Sequence, residues 1–330
     1  MTTSLETVIV TGAAGYIGTH IIQHLNRENI DIIAIDNLST GYSDFLPDDV
    51  ALEIGDICDL KFLNEVFSKI DNPALTGVIH TAGLKYAGES KKRPLEFYET
   101  NTEGTLSILR AMHEFGLQDF VYSSSCSIYG NQDSATGILE ISEKDPISPY
   151  GRSKLYAENI IYDQISAGLL NAVSLRYFNV IGNAKSRSLD LSPHNLLPNL
   201  YRAITNKKSI TVYGQNLKTR DGTCIRDYVD VSLLAQAHLS ALNKLKDGAL
   251  SNFAYNLGSG TGTSVLEIIR SLERVSGQDI SINWADARKG DPEAIFANID
   301  LAKNELNWSH DVDLDYMVKC GFDAWIKFHS

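Results

Sequence analysis

Short, uninterrupted apolar runs alternate with longer amphipathic stretches through the first half of the chain. Val8-Ile9-Val10 and Ile32-Ile33-Ala34-Ile35 have strand length, and further strands are expected at 50–54, 77–81, 118–123 and 172–177. Between the first two runs, residues 16–29 carry Ile17, Ile21, Ile22 and Leu25 at helical spacing. Continuous apolar strands alternating with helices predict a parallel sheet covered on both faces. The expected fold class is α/β, a doubly wound parallel sheet with a second, smaller α/β lobe. Past about residue 180 the alternation loses regularity. Residues 182–195, rich in Ser, Asn, Lys and Pro, read as a loop over a ligand, and 253–258 as a strand that returns to the first lobe. The expected division is 1–180 for the first lobe, with a return segment at about 226–260, and 181–330 mainly for the second.

Composition narrows the function. Hydrophobic residues make up 43% of 330 positions, enough for a large core. A net charge of −12 and a pI near 5.1 argue against nucleic acid or a membrane surface as partner, since both want a basic face. The cysteines, Cys58, Cys126, Cys224 and Cys320, form no C-x-x-C pair, so neither a metal site nor a disulfide framework is expected. The N-terminus lacks the basic and apolar regions of a signal peptide, which makes a cytoplasmic protein the expectation.

Glycines follow the first apolar run directly. Thr11-Gly12-Ala13-Ala14-Gly15-Tyr16-Ile17-Gly18 opens the first helical stretch, and its glycines allow a tight turn and a close approach of backbone to a pyrophosphate. Asp36 ends the next strand. A carboxylate there accepts from ribose hydroxyls and repels a 2′-phosphate, so the first lobe is expected to be a Rossmann-like domain that takes NAD rather than NADP. Asp56 and Ile57, after the third strand, are expected to meet the adenine.

Tyr150-Gly151-Arg152-Ser153-Lys154 is the one Tyr-x-x-x-Lys in a chain with 15 tyrosines. On a helix the two side chains share a face. The lysine is expected to favour the phenolate, which can take a hydroxyl proton while hydride leaves the same carbon. Ser125, just past the fifth strand, can bond the same hydroxyl. Ser125, Tyr150 and Lys154 are the candidate catalytic residues.

Together these elements resemble the extended short-chain dehydrogenase/reductases, and within them the UDP-glucose 4-epimerase family. The glycine turn, Asp36-Asn37-Leu38-Ser39, His80-Thr81-Ala82-Gly83-Leu84-Lys85, Leu175-Arg176-Tyr177-Phe178-Asn179, Asn195-Leu196-Leu197-Pro198, Asp221-Gly222-Thr223-Cys224-Ile225-Arg226-Asp227-Tyr228 and Arg288-Lys289-Gly290-Asp291 carry the resemblance through most of the chain. It implies an NAD set of Gly12, Gly15, Tyr16, Ile17, Gly18, Asp36, Asn37, Asp56, Ile57, Ala82, Lys85, Asn101, Tyr150, Lys154 and Phe178. It implies a UDP-sugar set of Lys85, Ser125, Tyr150, Asn179, Asn195, Tyr213, Arg226, Arg288, Asp291 and Ile295. Asn101 and Phe178 would line the nicotinamide side, Asn179 and Asn195 hold the sugar and diphosphate, Arg226 and Arg288 neutralise the diphosphate, Tyr213 pack near the uracil and Asp291 meet the uridine ribose. On the residues alone, Arg226 with Asp227 can equally form a surface ion pair, and Asn195 can cap a helix.

The implied reaction is transient oxidation and re-reduction at C4 of the sugar, with the UDP anchored while the keto sugar turns over. The resemblance puts a sugar-pocket gate at Ile295, intermediate between the aromatic that excludes N-acetyl sugars and the small residue that admits them, so another UDP sugar remains an alternative substrate. Cys126 and Ser127 stand where 4,6-dehydratases carry Asp-Glu, which argues against elimination. Retention of Ser125, Tyr150 and Lys154 argues against a non-catalytic NAD sensor. A homodimer through helices around 94–115 and 150–168 is implied as well.

Overall fold

A computed structural model describes residues 5–132, 136–183, 187–288 and 292–330. The first half alternates β1 (Thr7–Thr11), α1 (Tyr16–Arg27), β2 (Asp31–Asp36), β3 (Leu52–Ile54), α2 (Leu60–Phe67), β4 (Thr76–His80), α3 (Ala87–Ser90), α4 (Pro94–Tyr98), α5 (Gly104–Glu114), β5 (Asp119–Ser125), α6 (Pro149–Ser166) and β6 (Asn171–Tyr177). The second half adds β7 (Asn179–Ile181), α7 (Leu196–Thr205), β8 (Ile210–Tyr213), β9 (Ile225–Arg226), β10 (Tyr228–Asp230), α8 (Val231–Lys246), β11 (Ala254–Leu257), β12 (Thr263–Ser264), α9 (Val265–Ser276), β13 (Ile282–Ala285), β14 (Ala294–Ile295), α10 (Asp300–Leu306) and α11 (Leu314–His329).

Among the described residues, seven parallel strands form the central sheet in the order β11-β6-β5-β4-β1-β2-β3. The direction of travel reverses at β1, where β1 pairs with both β2 and β4. Ligands of open α/β sheets bind at such a switch point, outside the carboxyl ends of the strands. Alternate side chains of β1 feed the two faces: Val8 and Val10 join α1 and α8 on one, and Ile9 joins α2, α5 and α6 on the other. This two-sided burial is why the strands read as continuous apolar runs.

The run 253–258 forms β11, which pairs with β6 at the sheet edge. Asn29, expected inside the first helix, instead lies beyond its end with φ 55°. The third strand is shorter than 50–54 because only Leu52, Glu53 and Ile54 find partners on β2. The stretch 94–115 is not one helix: a π-helical turn at Glu99–Glu103 separates α4 from α5. Such turns mark places where a side chain must be re-aimed, and this one carries the buried Asn101. A separate apolar core unites α7, α9 and α11 in the second lobe. Among the described residues no helix is long and apolar enough to cross a membrane.

One buried ion pair fastens α6 to the sheet. Arg176 of β6 donates from Nη2 and Nε to the two oxygens of Glu158, at 2.6 and 2.9 Å. Glu158 also accepts from the Ser124 hydroxyl of β5 at 2.5 Å, and Arg176 donates to the Tyr129 hydroxyl and the Glu140 carbonyl, each at 2.9 Å. Both partners are almost fully buried. Breaking such a pair strands a charge, whereas replacing it whole by apolar groups costs little. Arg176→Met is therefore expected to lose about 3–5 kcal/mol in urea unfolding, and Arg176→Met with Glu158→Leu to recover part of it. A loss below about 1 kcal/mol for the single variant would contradict this account of the pair.

Candidate active site

Two adjoining cavities open at the carboxyl ends of the strands. The smaller, of about 430 Å³, is walled by the glycine turn, Asp36, Ile57, Ala82 and Lys154. The larger, of about 910 Å³, is walled by Ser125, Phe178, Asn179, Asn195, Tyr213, Arg226 and Arg288. Tyr16, Ile17, Lys85, Tyr150 and Tyr177 belong to both walls, so the cavities meet at Tyr150.

The smaller cavity fits a dinucleotide. Gly12 has φ +70°, and a Cβ there would stand 2.6 Å from the Ala82 amide nitrogen. A Cβ on Gly18 would stand 2.1 Å from the Gly12 carbonyl oxygen, so helix and turn can pack this closely only with glycine at that position. No side chain caps α1 at Gly15, which leaves its first turn, at Tyr16 and Ile17, to face a pyrophosphate. The Asp36 carboxylate is fixed by the Ala14 N–H at 3.0 Å and the Leu38 N–H at 2.7 Å. Burial raises its carboxyl, and these two N–H groups hold it back. Its remaining lone pairs can accept from ribose hydroxyls.

Other expected cofactor residues brace this wall rather than form it. Asp56 accepts from the Asn37 amide at 3.1 Å and the Cys58 N–H at 2.9 Å; burial opposes it, but these donors bring the carboxyl below its ordinary value. Ile57 and Asn37 line the cavity and Asp56 does not. Asn101 is likewise placed behind the wall. Its amide accepts from the Leu84 N–H at 2.8 Å and donates to the Leu84 carbonyl at 3.0 Å and the Ser153 hydroxyl at 2.9 Å. The side chain is thereby consumed in holding the loop that carries Ala82 and Lys85.

At the junction, Ser125 ends β5 and Tyr150 sits in the first turn of α6, which Pro149 starts and the Ser148 hydroxyl caps. Lys154, one turn on, donates to the Ser123 carbonyl at 2.9 Å and lies 4.8 Å above the Tyr122 ring. Burial pushes the Tyr150 phenol up to about 12, with a hydrogen bond from Ser125 opposing it. Burial brings Lys154 down to about 8, with Glu158 opposing. In this geometry one N–H of the Lys154 ammonium goes to the Ser123 carbonyl and leaves two donors, while desolvation is the largest influence on the Tyr150 phenol.

On the larger wall, the Arg288 guanidinium stacks 4.0 Å from the Tyr213 ring centre. Arg226 does not pair with Asp227, whose buried carboxylate instead accepts the N–H groups of Ser259, Gly260 and Ala297. Asn195 occupies the N-cap of α7 without capping it; its amide donates to Asp190 at 2.6 Å. Both bland alternatives for these residues are thus absent, and the side chains face the cavity. Ile295, the expected gate, lies close to this wall. In β14 it runs beside Arg226 of β9, which lines the cavity, and its side chain packs on the Ile128, Tyr129 and Ile138 cluster. Asp291 lies outside the described residues. Tyr177 and Asp190, which line both cavities, were missed as site residues. Tyr177 stands inside the motif Leu175–Asn179, and Asp190 inside the polar loop 182–195, whose composition pointed to a ligand without singling out a residue.

A sheet switch point with a glycine turn and a Ser-Tyr-Lys constellation defines a class. The chain belongs to the NAD dependent epimerase/dehydratase family, whose family model matches residues 8–258. Within that class its full-length relatives are narrower. It is 37% identical to the UDP-glucose 4-epimerase of Mus musculus over 97% of this chain and 96% of that one. It is equally similar, at 37%, to the UDP-glucose 4-epimerase of Rhizobium leguminosarum bv. trifolii, over 98% of each. Among solved structures, UDP-glucose 4-epimerase from Brucella ovis in complex with NAD superposes with a TM-score of 0.90 at 36% identity, covering 98% of both chains. The Stenotrophomonas maltophila enzyme with bound NAD and formylated UDP-arabinopyranose does so with a TM-score of 0.92 at 32% identity, covering 98% of this chain and 99% of that one.

Lys154 allows a test by linkage. Its folded value near 8 lies below the ordinary lysine value near 10.5, so the charged form destabilises the fold. The unfolded chain binds the extra proton between these values, so stability rises with pH across that window. Lys154→Met is expected to abolish turnover yet gain about 1–3 kcal/mol of stability below pH 8, with the gain fading by about pH 10–11. Urea unfolding of both proteins at pH 7 and pH 10 checks it; a variant less stable at pH 7 would refute the assigned burial cost.

Proposed function

We propose that the chain is a UDP-glucose 4-epimerase that interconverts UDP-galactose and UDP-glucose, with NAD as its cofactor. The observation that carries this reading is the meeting of the two cavities at Tyr150. A dinucleotide-sized pocket with an acidic ribose acceptor adjoins a pocket whose wall carries Lys85, Arg226 and Arg288, groups suited to a diphosphate. Full-length similarity to UDP-glucose 4-epimerases supports the same reading.

Held by the glycine turn and Asp36, NAD would supply the hydride acceptor for C4, and the positive charge of its ring would favour the Tyr150 phenolate. Tyr150 takes the proton of the sugar 4-hydroxyl and later gives it back. Ser125 bonds the same oxygen and keeps it in line. Arg226 and Arg288 anchor the diphosphate while the 4-keto sugar turns its other face to the cofactor. Tyr213, stacked under Arg288, offers a flat surface to the uracil. Cys126 and Ser127 supply no carboxylate for elimination.

We further infer a cytoplasmic homodimer through α4 and α6. Leu95, Tyr156 and Tyr162 are exposed on these helices, and Tyr98 stacks on Tyr156 at 5.9 Å. Sedimentation should give twice the chain mass, and Tyr156→Glu should reduce it to the monomer; a monomeric wild type would exclude the dimer.

Purified protein should interconvert UDP-galactose and UDP-glucose with no added NAD. A panel including UDP-GlcNAc/UDP-GalNAc and UDP-xylose/UDP-arabinose decides the sugar, and a 4-keto-6-deoxy product from dTDP-glucose would overturn the reading. Tyr150→Phe should retain NAD and lose at least 10²–10⁴-fold in kcat, roughly the contribution of a positioned general acid–base. Near-wild-type turnover would remove Tyr150 from its role.

A further inference from the structure

The larger cavity is basic in an otherwise acidic protein. Lys85, Arg202, Lys208, Arg226 and Arg288 line it, and Asp190 is the single carboxylate among its described lining residues. An acid in a cavity suited to a diphosphate works against binding, so its place needs a reason.

Asp190 sits on a strap, residues 187–195, that crosses from one lobe to the other. Arg202 holds the strap by donating to the carbonyls of Leu191 and Ser192, both at 2.9 Å. His194 lies on the far side, against the Tyr86 ring and 3.2 Å from Glu89. Between these anchors both oxygens of the Asp190 carboxylate have partners. Oδ1 pairs with Lys85 Nζ at 3.5 Å and accepts the Ser192 N–H at 3.1 Å; Oδ2 accepts the Asn195 amide at 2.6 Å. Lys85 and Asn195 are two of the groups that an anionic ligand entering this cavity would use, and they stand on opposite lobes.

We propose that Asp190 is an internal counter-ion that competes with the substrate's diphosphate for Lys85 and Asn195. It thereby weakens nucleotide binding and speeds release. This inference rests on the UDP-sugar reading of the cavity. When the diphosphate takes the lysine and the amide, Asp190 gives up both and the strap loses its central tie. When the product leaves, the carboxylate returns and the two donors are again satisfied. An enzyme that must hold UDP through the turning of a keto sugar, yet release it afterwards, gains from such a built-in competitor.

Binding of UDP and of uridine to the purified protein, measured by calorimetry, tests it. Asp190→Asn and Asp190→Ala should both bind UDP more tightly, by about tenfold for one like charge removed near the diphosphate. Uridine, which lacks the diphosphate, should bind with unchanged affinity, and the UDP gain should shrink at high salt. Unchanged or weaker UDP binding in both variants overturns the proposal. Equal tightening of UDP and uridine also overturns it, because a repacked strap would do that. A wild type that binds no UDP at all removes the UDP-sugar reading together with this inference, whereas a wild type that binds UDP with variants that gain nothing removes the inference alone.

Discussion

The Arg176–Glu158 pair is the interaction on which the active site depends. Tyr150, Lys154 and Glu158 recur at four-residue intervals along α6 and so share one face of it. Glu158 is bonded to Arg176 on β6 and to Ser124 on β5. That bond sets the rotation and height of α6 against the strand whose next residue is Ser125. A helix held only by apolar contacts can slide or roll at modest cost, whereas a bidentate guanidinium–carboxylate pair admits one geometry. The desolvation of two charges is the cost of this precision, offset by the Tyr129 and Glu140 bonds that complete the guanidinium's partners.

Burial then decides the chemistry at the junction. Tyr150 is raised to about 12 and Lys154 lowered to about 8 by the same removal from water. A site with these values is poorly set for proton abstraction by the protein alone. A cation brought close to the phenol would shift this balance toward the phenolate. The second cavity solves a related problem with opposite sign. A chain of net charge −12 sets five of its cations around one pocket, with Asp190 the single carboxylate among the described lining residues.

The sheet was legible because its strands are buried on both faces and therefore apolar throughout. The cofactor turn was legible because Gly12 needs a positive φ and Gly18 tolerates no Cβ, constraints that leave a mark at single positions. Tyr150 and Lys154 were legible because helical spacing alone aligns them. What escaped was whatever depends on a side chain's second partner. Asn101 looks like a ligand by its motif, yet its amide is spent on Leu84 and Ser153. Ile295 packs on the Ile128 cluster, a set of neighbours that no spacing along the chain records.

The sequence by itself determined the layered α/β fold, the glycine turn, the acidic residue that ends β2 and the order of Ser125, Tyr150 and Lys154. Each is a local property: period, conformational freedom at one position, or spacing along one helix. Only the tertiary structure decided that the two cavities meet at Tyr150, that Lys154 is tied to the Ser123 carbonyl, and that Asp190 bridges Lys85 and Asn195. The Lys154–Ser123 and Lys85–Asp190 contacts join residues 31 and 105 positions apart, and no pattern along the chain records which distant groups will share one oxygen.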